Sequence, residues 1–321
     1  MQEVIQPSLF GLNNSNRDFS LKDSWGKNKF NSSFPASLCC YIHSKGLGAE
    51  YLSINDGSFG HSEIGINDVF SIDPTDEDIY FAFESVHAPF QQYAVGTLPR
   101  TDLVIQRRSD GQCLAGLEIK LTALPDNMTC DLTEIEYGSE IVVRPDSIVY
   151  LACSIAENLG DQLNELLALD IDIDDWSDAN SVLQNIDSII YTLRQISIGL
   201  ETAQTPFLVQ PIWKTQGKSP ILAENCLDVF VWSDAGFTYF ISDIANDNSE
   251  ANKITRQTRT AIWLYKMLAD INSNDRFNHH QIIDELSYNT KNDKAFASAG
   301  NVTNRYMSCD RLETPSISKQ S

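Results

Sequence analysis

The sequence has few basic side chains for its length. It holds 23 Lys and Arg against 44 Asp and Glu among 321 residues, which gives a net charge of −21 at pH 7. This sign argues against a uniformly basic surface of the kind that binds nucleic-acid phosphates. No Lys or Arg occurs between Arg144 and Arg194, an interval that contains ten acids. They are Asp146, Glu157, Asp161, Glu165, Asp170, Asp172, Asp174, Asp175, Asp178 and Asp187. Because basic residues cluster elsewhere, an acidic back and a basic cleft remain compatible with the composition.

Several features that define other protein classes are missing. No apolar run is long enough to cross a bilayer, and the N-terminus lacks the basic and then apolar pattern of a signal peptide. We therefore expect a cytoplasmic protein without a membrane partner. The seven cysteines include no C-x-x-C pair, which argues against a zinc ribbon or a redox motif. The absence of G-x-x-x-x-G-K-[ST] and G-x-S-x-G motifs argues against ATP-driven chemistry and a hydrolase triad.

Apolar patterns along the chain predict an alternation of strands and helices. Pro145 begins a predicted helix that runs through Leu159, because proline is favoured in a first helical turn. Asp-Gly within residues 109–112 predicts a tight turn, so the strands on either side form a hairpin. The other predicted helices cover 33–46, 179–200 and 255–268, and the other predicted strands cover 49–54, 78–84, 207–213, 228–232 and 237–242. This order predicts an α/β (α+β) fold with a central mixed β-sheet flanked by helices. We expect one domain over 1–287 and a polar C-terminal tail over 288–321.

The stretch LAGLEIKLTALPD places an acid and a base inside an apolar run. In a strand, Leu117 and Ile119 would face the core, whereas Glu118 and Lys120 would share the other face. Folding of the hairpin would bring Asp102, on the preceding strand, close to Glu118. The alternative interpretation is an ordinary Glu–Lys pair on a half-exposed strand, which would contribute little to stability.

Two carboxylates and one ammonium that converge in this way have the composition of a metal-dependent phosphodiesterase site. Mg²⁺ usually takes one or two protein carboxylates together with water and phosphate oxygens. Asp102 and Glu118 would hold the ion, with the main-chain carbonyl of Ile119 as a third ligand. The metal would neutralise charge on phosphorus and activate a water, while Lys120 would orient that water.

Two short segments resemble the PD-(D/E)xK nuclease motif. They are P-R-T-D at 99–102 and E-I-K at 118–120. The family motif has proline directly before the aspartate, whereas this chain has Thr101 there. Three longer blocks, WGKNKFNSSFPASLCCYI, YGSEIVVRPDSIVYLA and RQTRTAIWLYKML, resemble type II restriction endonucleases of the HindVP group. This resemblance covers most of 20–270.

The resemblance implies a PD-(D/E)xK core and Mg²⁺-dependent cleavage of double-stranded DNA at a short palindrome, such as GRCGYC. It implies that Asp102 and Glu118 bind the metal and that Lys120 orients the attacking water. An acid from a preceding element often joins such a site, and Glu84 is slightly preferred to Glu50. A two-fold palindrome also implies a homodimer. A cognate bacterial DNA methyltransferase would be the genetic partner.

Two basic segments are candidates for DNA contact. In the predicted helix over 255–268, Arg256, Arg259, Trp263 and Lys266 fall on one face at spacings of three and four residues. This face is either a DNA-facing stripe or the solvated side of an amphipathic helix. The segment SWGKNKFN and Arg100 supply further candidates. The predicted contact residues there are Lys27, Asn28, Lys29, Asn31 and Arg100.

Two other functions remain open at this point. A PD-(D/E)xK repair or recombination nuclease would cut DNA by its structure rather than its sequence. An acidic protein that mimics DNA, with a purely structural Glu–Lys pair, belongs to a different class. A mimic would not need Arg256, Arg259 and Lys266 to be aligned.

Overall fold

The computed structural model of the protein describes most of the central two-thirds of the chain. The described residues are 43–46, 48–73, 76–119, 122–124, 145–167, 171, 173–202, 206–216, 219–222, 229–247, 254 and 256–288. Several predicted features lie outside this part. They are residues 33–42 of the first predicted helix, Lys27, Asn28, Lys29, Asn31, Lys120 and residues 289–321 of the tail. The single domain over 1–287 stays a prediction.

A mixed β-sheet forms the centre of the described chain. Its strands are β1 (Gly48–Asn55), β2 (Ser58–Gly65), β3 (Ile79–Ser85), β4 (Thr101–Arg107), β5 (Cys113–Ile119), β6 (Thr122–Leu124), β7 (Pro206–Gln216), β8 (Ser219–Leu222) and β9 (Val229–Ser233). The order is β2-β1-β9-β7-β5-β4-β3, with β6 and β8 also paired to β7. The pairs β1–β9, β5–β7 and β6–β7 are parallel, and the others are antiparallel. The prediction of a mixed α/β architecture is confirmed at this level.

Helices follow or separate these strands. They are α1 (Ile66–Phe70), α2 (Pro145–Leu159), α3 (Gln162–Leu166), α4 (Ala179–Gln184), α5 (Ile186–Gly199), α6 (Asp234–Asp247), α7 (Arg256–Asn274) and α8 (His279–Glu285), with a 3₁₀ helix at Ala88–Tyr93. Within the described residues, no helix has both the length and the apolar character needed to span a membrane.

Apolar side chains cover both faces of the sheet. The larger core packs α2, α5, α6 and α7 together and includes Trp232 of β9, whose ring lies 5.1 Å from that of Phe240. The smaller core includes Val231, Phe70 and Phe81. Since neighbouring residues of a strand face opposite ways, Val231 and Trp232 mark the two sides of the sheet. The middle of the sheet is therefore buried on both faces.

Two predicted elements are corrected. Residues 237–242, predicted as a strand, lie within α6. The Ser233 hydroxyl accepts a hydrogen bond from the Gly236 N–H at 2.9 Å, which caps the start of this helix. The predicted helix over 179–200 is interrupted at Asn185, which ends α4 and precedes α5. In both segments, contacts with the rest of the chain outweighed local sequence preference.

A buried carboxylate at the start of α6 gives the fold a pH-dependent stability. Asp234 is fully buried and accepts hydrogen bonds from the hydroxyl of Ser154 at 2.5 Å and the amide of Asn158 at 3.1 Å. Burial raises the pKa of Asp234 from 3.8 to about 7. Between these pH values the folded protein holds a proton that the unfolded chain has lost. Stability therefore falls as the pH rises from about 4 to about 7.

We expect Asp234→Asn to remove much of this pH dependence. One pKa unit corresponds to about 1.4 kcal/mol, so the wild-type protein should lose on the order of 2–4 kcal/mol between pH 4 and pH 7 because of this group. Urea unfolding at several pH values measures the difference between the two proteins. The exposed residue Asp284 supplies a control, because Asp284→Asn should keep the wild-type slope. Equal slopes in the wild type and Asp234→Asn would contradict the assignment.

Candidate active site

The predicted hairpin is present, and its strands end their pairing beside the predicted acids. In the β4–β5 ladder, Val104 lies opposite Gly116, and Leu103 lies opposite Leu117 as the last pair. After Leu117, β5 pairs instead with β7, beginning at Glu118. Asp102 and Glu118 are thus the first residues beyond the end of this ladder. The hairpin brings the two carboxylate residues to neighbouring positions, as the sequence predicts.

Glu118 is a buried residue held by hydroxyl groups. Its exposed fraction is 5%. The Ser147 hydroxyl donates a hydrogen bond to Oε1 at 3.1 Å, and the Thr101 hydroxyl lies 3.2 Å from Oε2. The Thr101 hydroxyl is also 2.9 Å from the carbonyl oxygen of Leu117. The alternative of a half-exposed strand is therefore wrong for Glu118, because this carboxylate lies inside the protein.

The first turns of α2 contact both sides of the site. Ser147, on this helix, reaches Glu118. One turn later the Tyr150 hydroxyl accepts from the His87 backbone N–H at 3.1 Å and donates to the Pro99 carbonyl at 2.9 Å. Burial raises the pKa of Tyr150, so the hydroxyl keeps its proton at neutral pH. Helix α2 therefore holds both the end of β5 and the segment that leads into Asp102.

Glu84 lies across from Asp102 in an unusual backbone conformation. Phe83 pairs with Leu103 and Ser85 pairs with Thr101, so Glu84 faces the Asp102 position between them. The φ angle of Glu84 is 50°, in the left-handed region that non-glycine residues rarely adopt. Such a conformation costs about 1–3 kcal/mol and often occurs at functional sites.

The sheet order favours Glu84 over Glu50 as an additional acid. Strand β3, which carries Glu84, lies next to β4. Strand β1, which carries Glu50, is separated from β5 by β7 and β9. At about 4.8 Å between strands, this separation amounts to roughly 14 Å. Glu50 is therefore poorly placed to join Asp102 and Glu118.

The oxygen atoms at this site suit a hard divalent cation. Asp102 is half-buried, Glu118 is buried, and Ile119 directly follows Glu118 in β5. Two carboxylates and a main-chain carbonyl, completed by water, form the kind of ligand set that Mg²⁺ accepts. Within the described residues, no group of three or more His, Cys, Asp or Glu side chains could hold a metal by itself. Any ion here would therefore depend on backbone, water or substrate oxygens as well.

The predicted basic stripe on α7 is wrong at its centre. Arg259 and Trp263 are each 1% exposed, and the guanidinium carbon of Arg259 lies 5.4 Å from the Trp263 ring centre. The Trp263 indole N–H donates to the Leu286 carbonyl at 3.1 Å. Nearly every side chain from Thr258 to Leu268 is buried, so the middle of α7 has no open face. Neither a DNA-facing stripe nor a solvated face passes through Arg259.

The remaining predicted DNA contacts differ in their surroundings. Lys266 is half-buried, forms an ion pair with Asp270 and has its Nζ atom 5.6 Å from the Trp176 ring centre. Arg256 begins α7, but its side chain is not among the described ones. Arg100 is exposed, two residues before Asp102. Among the predicted basic contacts whose side chains the structure describes, Arg100 is exposed, Lys266 is half-buried and Arg259 is buried.

Ser147 and Tyr150 are site residues that sequence reasoning missed. Their partners lie roughly 30–60 residues away in the chain, so no local pattern connects them. A weak indication does exist, because Ser147 is a polar side chain directly before the apolar run at 148–153 of α2. A buried hydroxyl of this kind needs a hydrogen-bond partner.

Comparisons with known proteins agree on one family. The HindVP restriction endonuclease family matches residues 25–321. The probable type II restriction enzyme HindVP of Haemophilus influenzae is 53% identical over 317 residues, covering 98% of this chain and 86% of that protein. The type II restriction enzyme HgiDI of Herpetosiphon aurantiacus is 42% identical over 326 aligned positions, covering 100% of this chain and 90% of that protein. No solved structure matches this chain.

Proposed function

This chain belongs to the HindVP restriction endonuclease family of type II restriction enzymes, and from that premise we propose that it hydrolyses double-stranded DNA with Mg²⁺. The observation that carries the proposal is the end of the β4–β5 ladder, where Asp102 and the buried Glu118 lie side by side. A carboxylate buried at such a position is not an ordinary surface charge. Its burial fits the role of a cation ligand.

The proposed chemistry assigns each residue a separate task. The carboxylates of Asp102 and Glu118 and the carbonyl of Ile119 would hold Mg²⁺, which would supply charge neutralisation at the phosphate and a more acidic water. Lys120 donates hydrogen bonds that orient the attacking water and oppose the negative charge that develops on the phosphate oxygens. The water oxygen bonds to phosphorus and its proton is lost to solvent, while the bond from phosphorus to the leaving ester oxygen breaks and that oxygen takes up a proton from solvent. Glu84 completes the acidic site from β3.

A variant of Glu84 separates its backbone strain from its charge. We expect Glu84→Gly to lower the cleavage rate at least about tenfold. It should raise the unfolding free energy by up to about 1 kcal/mol, because glycine accepts a positive φ without strain. Urea unfolding and single-turnover cleavage measure the two effects. Glu84→Gln is the matched control, since it should lose activity without gaining stability. Full activity in both variants would remove Glu84 from the site.

The wider biological setting follows from the same proposal. The substrate is a short palindrome, for which the resemblance implies GRCGYC, and the enzyme acts as a homodimer whose two-fold axis matches that of the site. A DNA methyltransferase of the same host protects the host DNA. These reactions take place in the bacterial cytoplasm. Arg100, on the surface near the acids, contacts a DNA phosphate.

The test is digestion of a long unmethylated DNA by the wild-type protein and by Lys120→Ala, each with Mg²⁺ or with EDTA. Discrete fragments that require both Mg²⁺ and Lys120 support the proposal, and mapping their ends gives the recognition site. Nicking that follows DNA structure, with the same requirements, would indicate the repair-type nuclease. No cleavage by folded wild-type protein would overturn the nuclease assignment and leave the acidic DNA mimic.

A further inference from the structure

We propose that Thr101 and Ser147 are positioning residues that orient the Glu118 carboxylate toward its cation. The inference deepens the proposed function and rests on it, because it presumes that Glu118 is a metal ligand. Each carboxylate oxygen has its own hydroxyl contact, Ser147 at Oε1 and Thr101 at Oε2. The two hydroxyls come from different elements, α2 and β4, so together they hold Glu118 from two directions.

The need for orientation follows from the freedom of a glutamate side chain. The last torsion of glutamate is broad, so packing against the carboxylate carbon alone does not select one rotation. Hydrogen bonds to both carboxylate oxygens select one rotation. An ionised carboxylate oxygen can accept more than one hydrogen bond, so each oxygen can still bind another partner. The hydroxyls of Thr101 and Ser147 can therefore fix Glu118 without blocking a metal ion.

Thr101 occupies the position where the family motif has proline. Its hydroxyl carries a single proton that is shared between the Leu117 carbonyl at 2.9 Å and Glu118 Oε2 at 3.2 Å. These contacts lie where the β4–β5 backbone ladder ends. A proline has no hydroxyl and would supply neither contact. The departure from the motif thus adds a link between β4 and the carboxylate of β5.

Ser147 links the same carboxylate to the helix layer. It lies in the first turn of the 15-residue helix α2 and has no exposed surface. Thr101 is also buried, at 1% exposed, so water has little access to either hydroxyl. Their hydrogen-bonding capacity is therefore directed to protein groups.

Loss of either hydroxyl should weaken cation binding although every direct ligand remains. Removal of groups that orient metal ligands typically costs 10–100-fold in metal affinity. We expect Thr101→Val and Ser147→Ala each to weaken Mn²⁺ binding about tenfold. Thr101→Ser keeps the hydroxyl and should bind Mn²⁺ within about twofold of the wild type. Cleavage by the two weakened variants should recover at higher Mg²⁺ concentration.

The experiment measures Mn²⁺ binding to the full chain without DNA, from the electron paramagnetic resonance signal of the free ion. Thr192→Val is the matched control, because this buried hydroxyl donates to the Ser188 carbonyl within α5. It should leave Mn²⁺ affinity unchanged. Circular dichroism confirms folding of every variant. If Thr101→Val does not fold, Ser147→Ala tests the same carboxylate from α2.

The outcomes separate this inference from the function on which it rests. Weakened binding in Thr101→Val and Ser147→Ala, with near-normal binding in Thr101→Ser, supports the inference. Wild-type affinity in folded Ser147→Ala and Thr101→Val would overturn it, while the proposed function stands if Glu118→Gln loses Mn²⁺. Wild-type affinity in Glu118→Gln would overturn both.

Discussion

Replacement of Asp102 by Asn, or of Glu118 by Gln, should lower the DNA cleavage rate on the order of 1000-fold while the protein stays folded. Each change keeps the size of the side chain and removes one negative charge from the proposed cation site. Loss of a single group that stabilises developing charge typically costs 100–1000-fold in rate, and a metal ligand should lie at the upper end. Single-turnover cleavage at saturating protein measures the effect directly.

A carboxylate on the same hairpin provides the control for these variants. Asp110 lies in the turn between β4 and β5, is exposed and pairs with Arg107 at 2.9 Å. Asp110→Asn should leave cleavage unchanged, because exposed pairs contribute little and this one lies at the far end of the hairpin. Near-normal cleavage by folded Asp102→Asn would show that the metal is held elsewhere.

Two arginines that the sequence treats alike should give opposite results when each is replaced by alanine. Arg259→Ala should lower the unfolding free energy by about 2–4 kcal/mol, because it removes a fully buried side chain that packs on Trp263. Arg100→Ala should leave stability within about 0.5 kcal/mol, since its side chain is exposed. Urea unfolding distinguishes the two.

In DNA binding, Arg100→Ala should have the larger effect of the two variants. With Ca²⁺ in place of Mg²⁺ to prevent cleavage, Arg100→Ala should weaken binding and reduce the slope of log affinity against log salt by about one. Folded Arg259→Ala protein, studied below its lower melting temperature, should bind DNA like the wild type. A reduced salt slope for Arg259→Ala with normal stability would restore Arg259 to the DNA surface.

Local patterns predicted the hairpin and its acids because the information is local. Strand alternation and an Asp-Gly turn were enough to bring Asp102 and Glu118 together. The hydroxyls that hold Glu118 were beyond reach for a different reason. Ser147 meets Glu118 only after α2 docks on the sheet, and that docking depends on the whole helix layer. Tertiary packing of this kind leaves no periodic trace in the sequence.

The two errors concerning α6 and α7 have separate physical origins. Aromatic and β-branched residues favour strands, and FTYFIS therefore predicts one. In the structure Phe237, Phe240 and Ile241 are buried on one face of α6. A spacing of three and four residues then placed Arg259 and Trp263 on one face of α7. Such spacing defines a face but does not say whether the face meets solvent or protein. In the structure the middle of α7, which includes Arg259 and Trp263, is buried against protein.

The parallel pairing of β5 with β7 has a consequence for the order in which the protein assembles. The β4–β5 hairpin can form as soon as it leaves the ribosome, because its contacts are local. Its β7 partner, Leu208, follows Glu118 by about 90 residues. At translation rates of about 5–20 residues per second, that interval lasts roughly 5–20 seconds. Throughout it, the strand that carries Glu118 lacks its β7 neighbour, and an unpaired strand edge favours aggregation. Synthesis therefore delays full pairing of the strand that carries Glu118 until about two-thirds of the chain has been made, and a chain truncated before β7 would carry the motif on a strand that lacks this neighbour.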